Sequence, residues 1–153
     1  MSPETNPNEV ESKESGSQVE YSSSLEGITA ENLQGFFVGW PKQPTPETLL
    51  TLLEKSDRRI LALDAQKNVI GFITAVTDGV LSAYIPFLEV LPGHKGEGIG
   101  SKLTEQMLES LKDLYMVDLL CDPELQPFYE KFGMQKASGM MLRNFDKQNG
   151  KSS

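Results

Sequence analysis

The feature that most constrains this chain is a set of three glycines at alternate positions, Gly96, Gly98 and Gly100. They sit between an apolar strand pattern ending in Leu88-Glu89-Val90-Leu91-Pro92 and an amphipathic helix pattern that begins at Ile99. Glycine reaches left-handed backbone angles without a Cβ penalty, so a strand can turn abruptly into a helix there. Such a turn lets backbone N–H groups converge in front of the positive end of a helix dipole, which favours a pyrophosphate. Lys95 adds a point charge beside it. Two common phosphate loops do not fit. A P-loop closes on Gly-Lys-Ser/Thr, whereas the order here is Gly100-Ser101-Lys102. A dinucleotide fingerprint spaced from Gly96 and Gly98 needs a third glycine where Ser101 stands, and it belongs in the first βαβ unit of a parallel sheet.

The pattern around this loop alternates. Val19 to Leu25 is a weak strand candidate. From Ile28 a helix start follows, with Thr29 as cap and Ile28 placed to pack on Leu33. Thr45-Pro46-Glu47 opens a second helix with a capping hydroxyl, a proline at the first helical position and an acid in the first turn. Arg59 to Asp64 and Val69 to Thr77 read as strands joined by a short hairpin, and Leu81 to Leu91 as a long apolar strand after the Asp78-Gly79 turn. Ile99, Leu103, Met107 and Leu111 recur every four residues in a helix expected to run to Leu114. Tyr115 to Cys121 predicts a strand buried on both faces, Glu124 to Phe132 a short helix, and Gly139 to Asn144 a last strand. The fold class is α/β (α+β), a mixed sheet in the order β-α-α-β-β-β-α-β-α-β. Residues 19–145 form the expected domain, between a disordered acidic tail over 1–18 and a flexible C-terminal tail over 146–153.

Charge and composition narrow the function. Fourteen Lys and Arg against 22 Asp and Glu argue against a binder of nucleic-acid backbones. Residues 1–18 alone hold four Glu and one Lys, so part of the acidity lies outside the domain. That stretch has neither the apolar run of a secretory signal nor the Arg-rich character of a transit peptide. No apolar run approaches the roughly 18 residues of a membrane span. The expectation is a cytoplasmic protein without nucleic-acid or membrane partners, a monomer or homodimer. With one cysteine, Cys121, and one histidine, His94, no disulfide framework forms within the chain and no zinc site of the usual ligands is expected.

Leu88 to Gly100 resembles the acyl-CoA motif of the GCN5-related N-acetyltransferase (GNAT) superfamily, L-x-V-x-P-x-x-[Q/R]-G-x-G-[I/L]-G. Every position matches except Lys95, which replaces Gln or Arg. One helix and one strand later, Pro127-Phe128-Tyr129-Glu130-Lys131-Phe132-Gly133-Met134 resembles the family's F-Y-x-x-x-G-F segment, with Met134 for the last aromatic. The likeness covers roughly residues 19–145, and the element order agrees with that fold, a mostly antiparallel central sheet flanked by helices. Pro127-Phe128-Tyr129 also resembles the arylalkylamine branch.

The resemblance implies acetyl-CoA as co-substrate, no metal, and direct attack of an amine on the thioester. The backbone of Leu88, Glu89 and Val90 would pair with the pantetheine arm as an added strand does. Lys95 and the N–H groups of Gly96, Glu97, Gly98, Ile99, Gly100 and Ser101 would hold the pyrophosphate, with Asp122 near the pantetheine. Tyr129 would protonate the departing thiolate, for which a phenol of pKa near 10 is a suitable donor. Glu89 and Tyr84 are both candidates for receiving the amine's proton. Phe36, Phe37 and Trp40 are either packing residues or the wall of an acceptor pocket, where an amine would find apolar and cation–π contacts. His94 reads as a solvated loop residue, and Cys121 as a small hydrophobe, not an acyl carrier. The expected function is N-acetyl transfer to a primary amine, first of all a small molecule. The alternatives are a non-catalytic acyl-CoA sensor and a protein lysine or N-terminal acetyltransferase.

Overall fold

A five-stranded sheet in the order β1-β2-β3-β4-β5 forms the centre of the molecule. The computed structural model describes residues 18–151; the acidic tail expected over 1–18 lies almost wholly outside them. The strands are β1 (Glu20–Ser22), β2 (Arg58–Leu63), β3 (Val69–Thr77), β4 (Ser82–Val90) and β5 (Met116–Asp118). Neighbours are antiparallel except β4 and β5, which run parallel. Three helices flank the sheet: α1 (Pro46–Lys55), α2 (Ile99–Ser110) and α3 (Gln126–Glu130).

Local chemistry explains the well-formed elements. The Thr45 hydroxyl accepts from the Thr48 N–H at 3.1 Å, Pro46 takes the first helical position, and Lys55 lies in the last turn of α1. Leu49 and Leu53 are its buried stripe. In α2 the four-residue recurrence becomes a buried row of Ile99, Leu103, Met107 and Leu111. That row packs on Ile60, Ala62, Ile73, Ala75, Ala83 and Ile85 from one face of the sheet. Leu61, Leu63, Val69 and Phe72 face the other way, onto α1 and onto Ile28, Leu33, Phe36 and Phe37. Gly71 lets α2 approach closely, because a Cβ there would stand 3.1 Å from Ile99 Cγ2 and 3.2 Å from the Glu89 carbonyl oxygen. Replacing Gly71 with Val is expected to cost about 1–3 kcal/mol of stability by overpacking. The reading is a lower urea midpoint at unchanged m-value; an unaltered midpoint would refute the close approach.

Three expectations need correction. The helix expected from Ile28 is a single 3-10 turn, Ala30–Asn32, with the Thr29 N–H donating to Asn32 Oδ1 at 2.8 Å. Left-handed positions at Gly35, Phe37 and Gly39 stop it from continuing. β5 is three residues long, not seven, and is not buried on both faces: Met116 is 43% exposed. Its length is limited by β4. The β3–β4 register shifts between Thr74↔Phe87 and Val76↔Tyr84, so β4 carries an extra residue around Ile85 and Pro86. A bulge bends a strand away from its neighbour, and Pro86 has no N–H to offer. The last strand, expected over 139–144, does not form, because β5 ends at Asp118 and offers no further edge; Met140, Met141 and Leu142 stay exposed. Near the C-terminal end a 3-10 turn forms at Phe145–Lys147, and the Lys42 N–H donates to Gln148 Oε1 at 2.9 Å.

Candidate functional site

The bulge in β4 organises the site. Before it, Ala83 and Ile85 face the α2 side; after it, Leu88 and Val90 do. The inward parity therefore switches from odd to even. Tyr84 and Glu89 are five residues apart and would lie on opposite faces of a regular strand. With the extra residue, both point away from the α2 core. The bulge also frees an edge: β5 pairs only with Ser82, Ala83 and Tyr84, so β4 from Ile85 to Val90 has no strand partner on that side among the described residues. An open edge of this kind accepts an extended chain of amide groups.

The glycine loop lies at the end of that edge. Leu91 is tied back by its N–H to the Ile70 carbonyl at 2.9 Å, and a 3-10 turn at Pro92–His94 follows. Gly96 and Gly98 are left-handed at φ of 84° and 80°, and a Cβ at either would meet nothing within 4 Å. Backbone conformation thus demands glycine at both positions, and open space lies over both. Gly98 caps α2 without a side-chain hydrogen bond, and the first turn contains no acid. Among the described residues no side chain caps its N–H groups, which leaves them able to take an external acceptor. His94 Nδ1 lies 3.3 Å from Glu97 Oε1, and the two side chains are 36% and 47% exposed.

The short helix α3 docks on this loop. A Cβ on Gly100 would lie 3.8 Å from Val90 Cγ2 and 3.9 Å from Phe128 Cζ, which brings β4, α2 and α3 together at one point. Phe128 stacks edge-on against Tyr129 at 4.9 Å, and the Lys131 ammonium lies 5.0 Å from its ring centre. Gly133, left-handed at φ of 90°, ends the segment. Tyr129 is half-buried, and burial pushes its phenol above the usual value of 10.0, with a smaller push from Cys121. The Cys121 thiol is itself held up by burial and then by Asp122 and Glu124, so it stays protonated near neutrality. A cleft of about 710 Å³ opens here, lined among others by Tyr84, Asp118, Cys121, Tyr129, Glu130 and Lys136. Asp122 is exposed at the start of the Pro123–Leu125 turn, outside that lining.

Glu89 faces a different neighbour. Its Oε2 accepts from the Phe37 N–H at 2.6 Å. Burial raises its carboxyl above the ordinary value, against the opposing pull of that hydrogen bond and of Lys95. Phe36 and Phe37 are core residues, 6% and 2% exposed, each edge-on to Phe72. Trp40 packs against Phe37 at 4.8 Å and remains half-buried, so it is the member of this cluster with a face to offer. The sequence points to Glu89, Lys95, Phe36, Phe37 and Trp40 but not to Phe72 or to the Glu89–Phe37 bond, because no local pattern joins positions 52 residues apart.

Comparison with known proteins places this geometry in a family. The acetyltransferase (GNAT) family matches residues 25–134. The chain is 46% identical to a candidate acetyltransferase from Deinococcus radiodurans whose crystal structure superposes with a TM-score of 0.85, covering 88% of this chain and 94% of that one. It is 30% identical to a GNAT-family protein from Streptococcus pneumoniae, at a TM-score of 0.67 over 83% of this chain and 98% of that one. Among curated relatives, an uncharacterized N-acetyltransferase of Pyropia yezoensis is 29% identical over 65% of the chain, and a histone acetyltransferase of Glycine max 28% identical over 64%. The matches span 59% and 47% of those two relatives' own lengths.

Proposed function

Since the chain belongs to the acetyltransferase (GNAT) family, whose co-substrate is acetyl-CoA, we propose that it transfers the acetyl group to a primary amine, first of all that of a small molecule. One observation supports this reading above the others: the unpaired edge of β4 leads directly to the uncapped N-terminus of α2. The edge fits the amide-bearing pantetheine arm. The N–H groups from Gly96 to Ser101 fit the pyrophosphate, with Lys95 beside them.

Tyr129 is the acid in this account. Its raised pKa keeps the proton on the phenol at neutral pH, available to a thiolate as the thioester C–S bond breaks. The protonated Cys121 thiol is a poor nucleophile, in keeping with direct transfer from thioester to amine. An amine can lose its first proton to water before it binds; the second, shed as the N–C bond forms and the C–S bond breaks, replaces the one that Tyr129 gives to the thiolate, and the site needs a hydrogen-bond acceptor that orients the lone pair. Tyr84 shares the cleft with Tyr129 and suits this role, whereas Glu89 commits one oxygen to Phe37.

Thiol release from acetyl-CoA tests the acceptor class. Turnover with 2-phenylethylamine or tryptamine at least tenfold above that with a lysine-bearing histone peptide is expected; the reverse order would transfer the reading to protein lysines. That second reading has its own support in the histone acetyltransferase of Glycine max. Trp40 gives another check. Trp40→Ala is expected to raise the acceptor KM about tenfold, the loss of roughly 1.4 kcal/mol of contact, while acetyl-CoA binding stays intact. Loss of both would make Trp40 a packing residue only.

A further inference from the structure

A carboxylate of β4 holds one peptide of the acceptor-side loop. Phe37 is a bulky residue held at φ of 63°, a left-handed conformation that only its surroundings can maintain. Its N–H donates to Glu89 Oε2 at 2.6 Å, and its carbonyl accepts from the Trp40 N–H at 3.2 Å and from Gln43 Nε2 at 2.9 Å. Its ring is enclosed by Phe72, Phe87 and Trp40. The far end of the loop is tied by the Lys42 N–H to Gln148 Oε1. Glu89 thus ties the Phe37 peptide to β4 by a hydrogen bond, beside the ring contact of Phe37 with Phe87 of the same strand, and Lys95 of the glycine loop acts on the same carboxylate.

We infer that Glu89 is a positioning residue: by holding the Phe37 peptide it sets where Trp40 stands, and through Trp40 it determines the affinity for the acceptor. The inference rests on the proposed acetyl transfer only for its kinetic consequence. Its structural consequence can be read without turnover. A carboxylate that acted as proton acceptor would fail on replacement by an amide, whereas an oxygen that accepts from an N–H is retained in Gln.

Trp40 is the chain's single tryptophan, so its emission and its quenching by acrylamide report directly on the loop. Glu89→Ala should shift the emission to the red and raise the quenching constant at least twofold. Glu89→Asp, one methylene shorter and gentler on the fold, should move both in the same direction, and Glu89→Gln should restore them. With 2-phenylethylamine, Glu89→Ala should raise the acceptor KM at least tenfold for a fall in kcat of less than threefold, and Glu89→Gln should recover most of that KM. Unchanged Trp40 fluorescence in both the Ala and Asp variants would overturn the proposal. So would a loss of kcat of a hundredfold or more in Glu89→Gln, with the acid limb of the pH profile removed. If wild-type protein does not acetylate this amine, the small-amine reading fails, while the fluorescence comparison still decides the role of Glu89.

Discussion

Tyr129→Phe is expected to lower kcat by about 10²–10⁴-fold at saturating acetyl-CoA, the usual contribution of a positioned general acid. The substitution removes one hydroxyl and keeps the ring that stacks on Phe128 at 4.9 Å, so stability and acetyl-CoA affinity should change little. The pH profile supplies an independent reading. A general acid works while it holds its proton, and burial places the Tyr129 phenol above 10.0. Any alkaline fall in kcat that belongs to Tyr129 must therefore lie above pH 10, and it must vanish in the Phe variant. A non-catalytic acyl-CoA sensor would lose nothing measurable on the same change. Stopped thiol release and thermal unfolding, run on the two proteins together, separate these outcomes.

Gly98→Val is expected to weaken acetyl-CoA binding by tenfold or more. Gly98 holds φ of 80° immediately before α2, and an L-residue there costs about 1–2 kcal/mol, with a β-branched side chain at the upper end. The chain can avoid that cost only by shifting the start of the helix, which displaces the N–H groups of Ile99, Gly100 and Ser101. Either response damages the anion site. Gly79→Val provides the control: Gly79 is left-handed at φ of 73° in the Asp78 turn, away from the loop. It should lower stability by a similar amount and leave the acetyl-CoA Kd within twofold. Equal effects of the two variants on Kd would mean that Gly98 acts through stability alone.

The sequence makes local features legible and long-range ones not. β3 runs over Val69–Thr77, the same bounds that its apolar pattern predicts, because capping and turn residues on both sides fix it locally. The starts of α1 at Pro46 and α2 at Ile99 are equally visible, one through Thr45-Pro46 and the other through the glycines. The apolar run from Tyr115 to Cys121 misleads, since its length as a strand depends on β4, and β4 leaves its neighbour at Pro86. The bulge has no periodic signature of its own, yet it puts Tyr84 and Glu89 on one face. Tyr84 and Tyr129 share a cleft only because α3 docks at Gly100, a contact made in the folded chain. Phe37 is the least legible of all. Nothing in its neighbours announces a left-handed aromatic residue, and its partner Glu89 arrives from a strand far along the chain.

The most direct test of the account is a calorimetric titration of the folded protein with acetyl-CoA and, separately, with CoA. The unpaired β4 edge and the uncapped helix terminus predict micromolar binding of both, with the Gly98→Val variant at least tenfold weaker. No heat from either ligand, in a sample whose cooperative unfolding shows it to be folded, would contradict the assignment of this loop to acetyl-CoA and the enzymatic reading built on it.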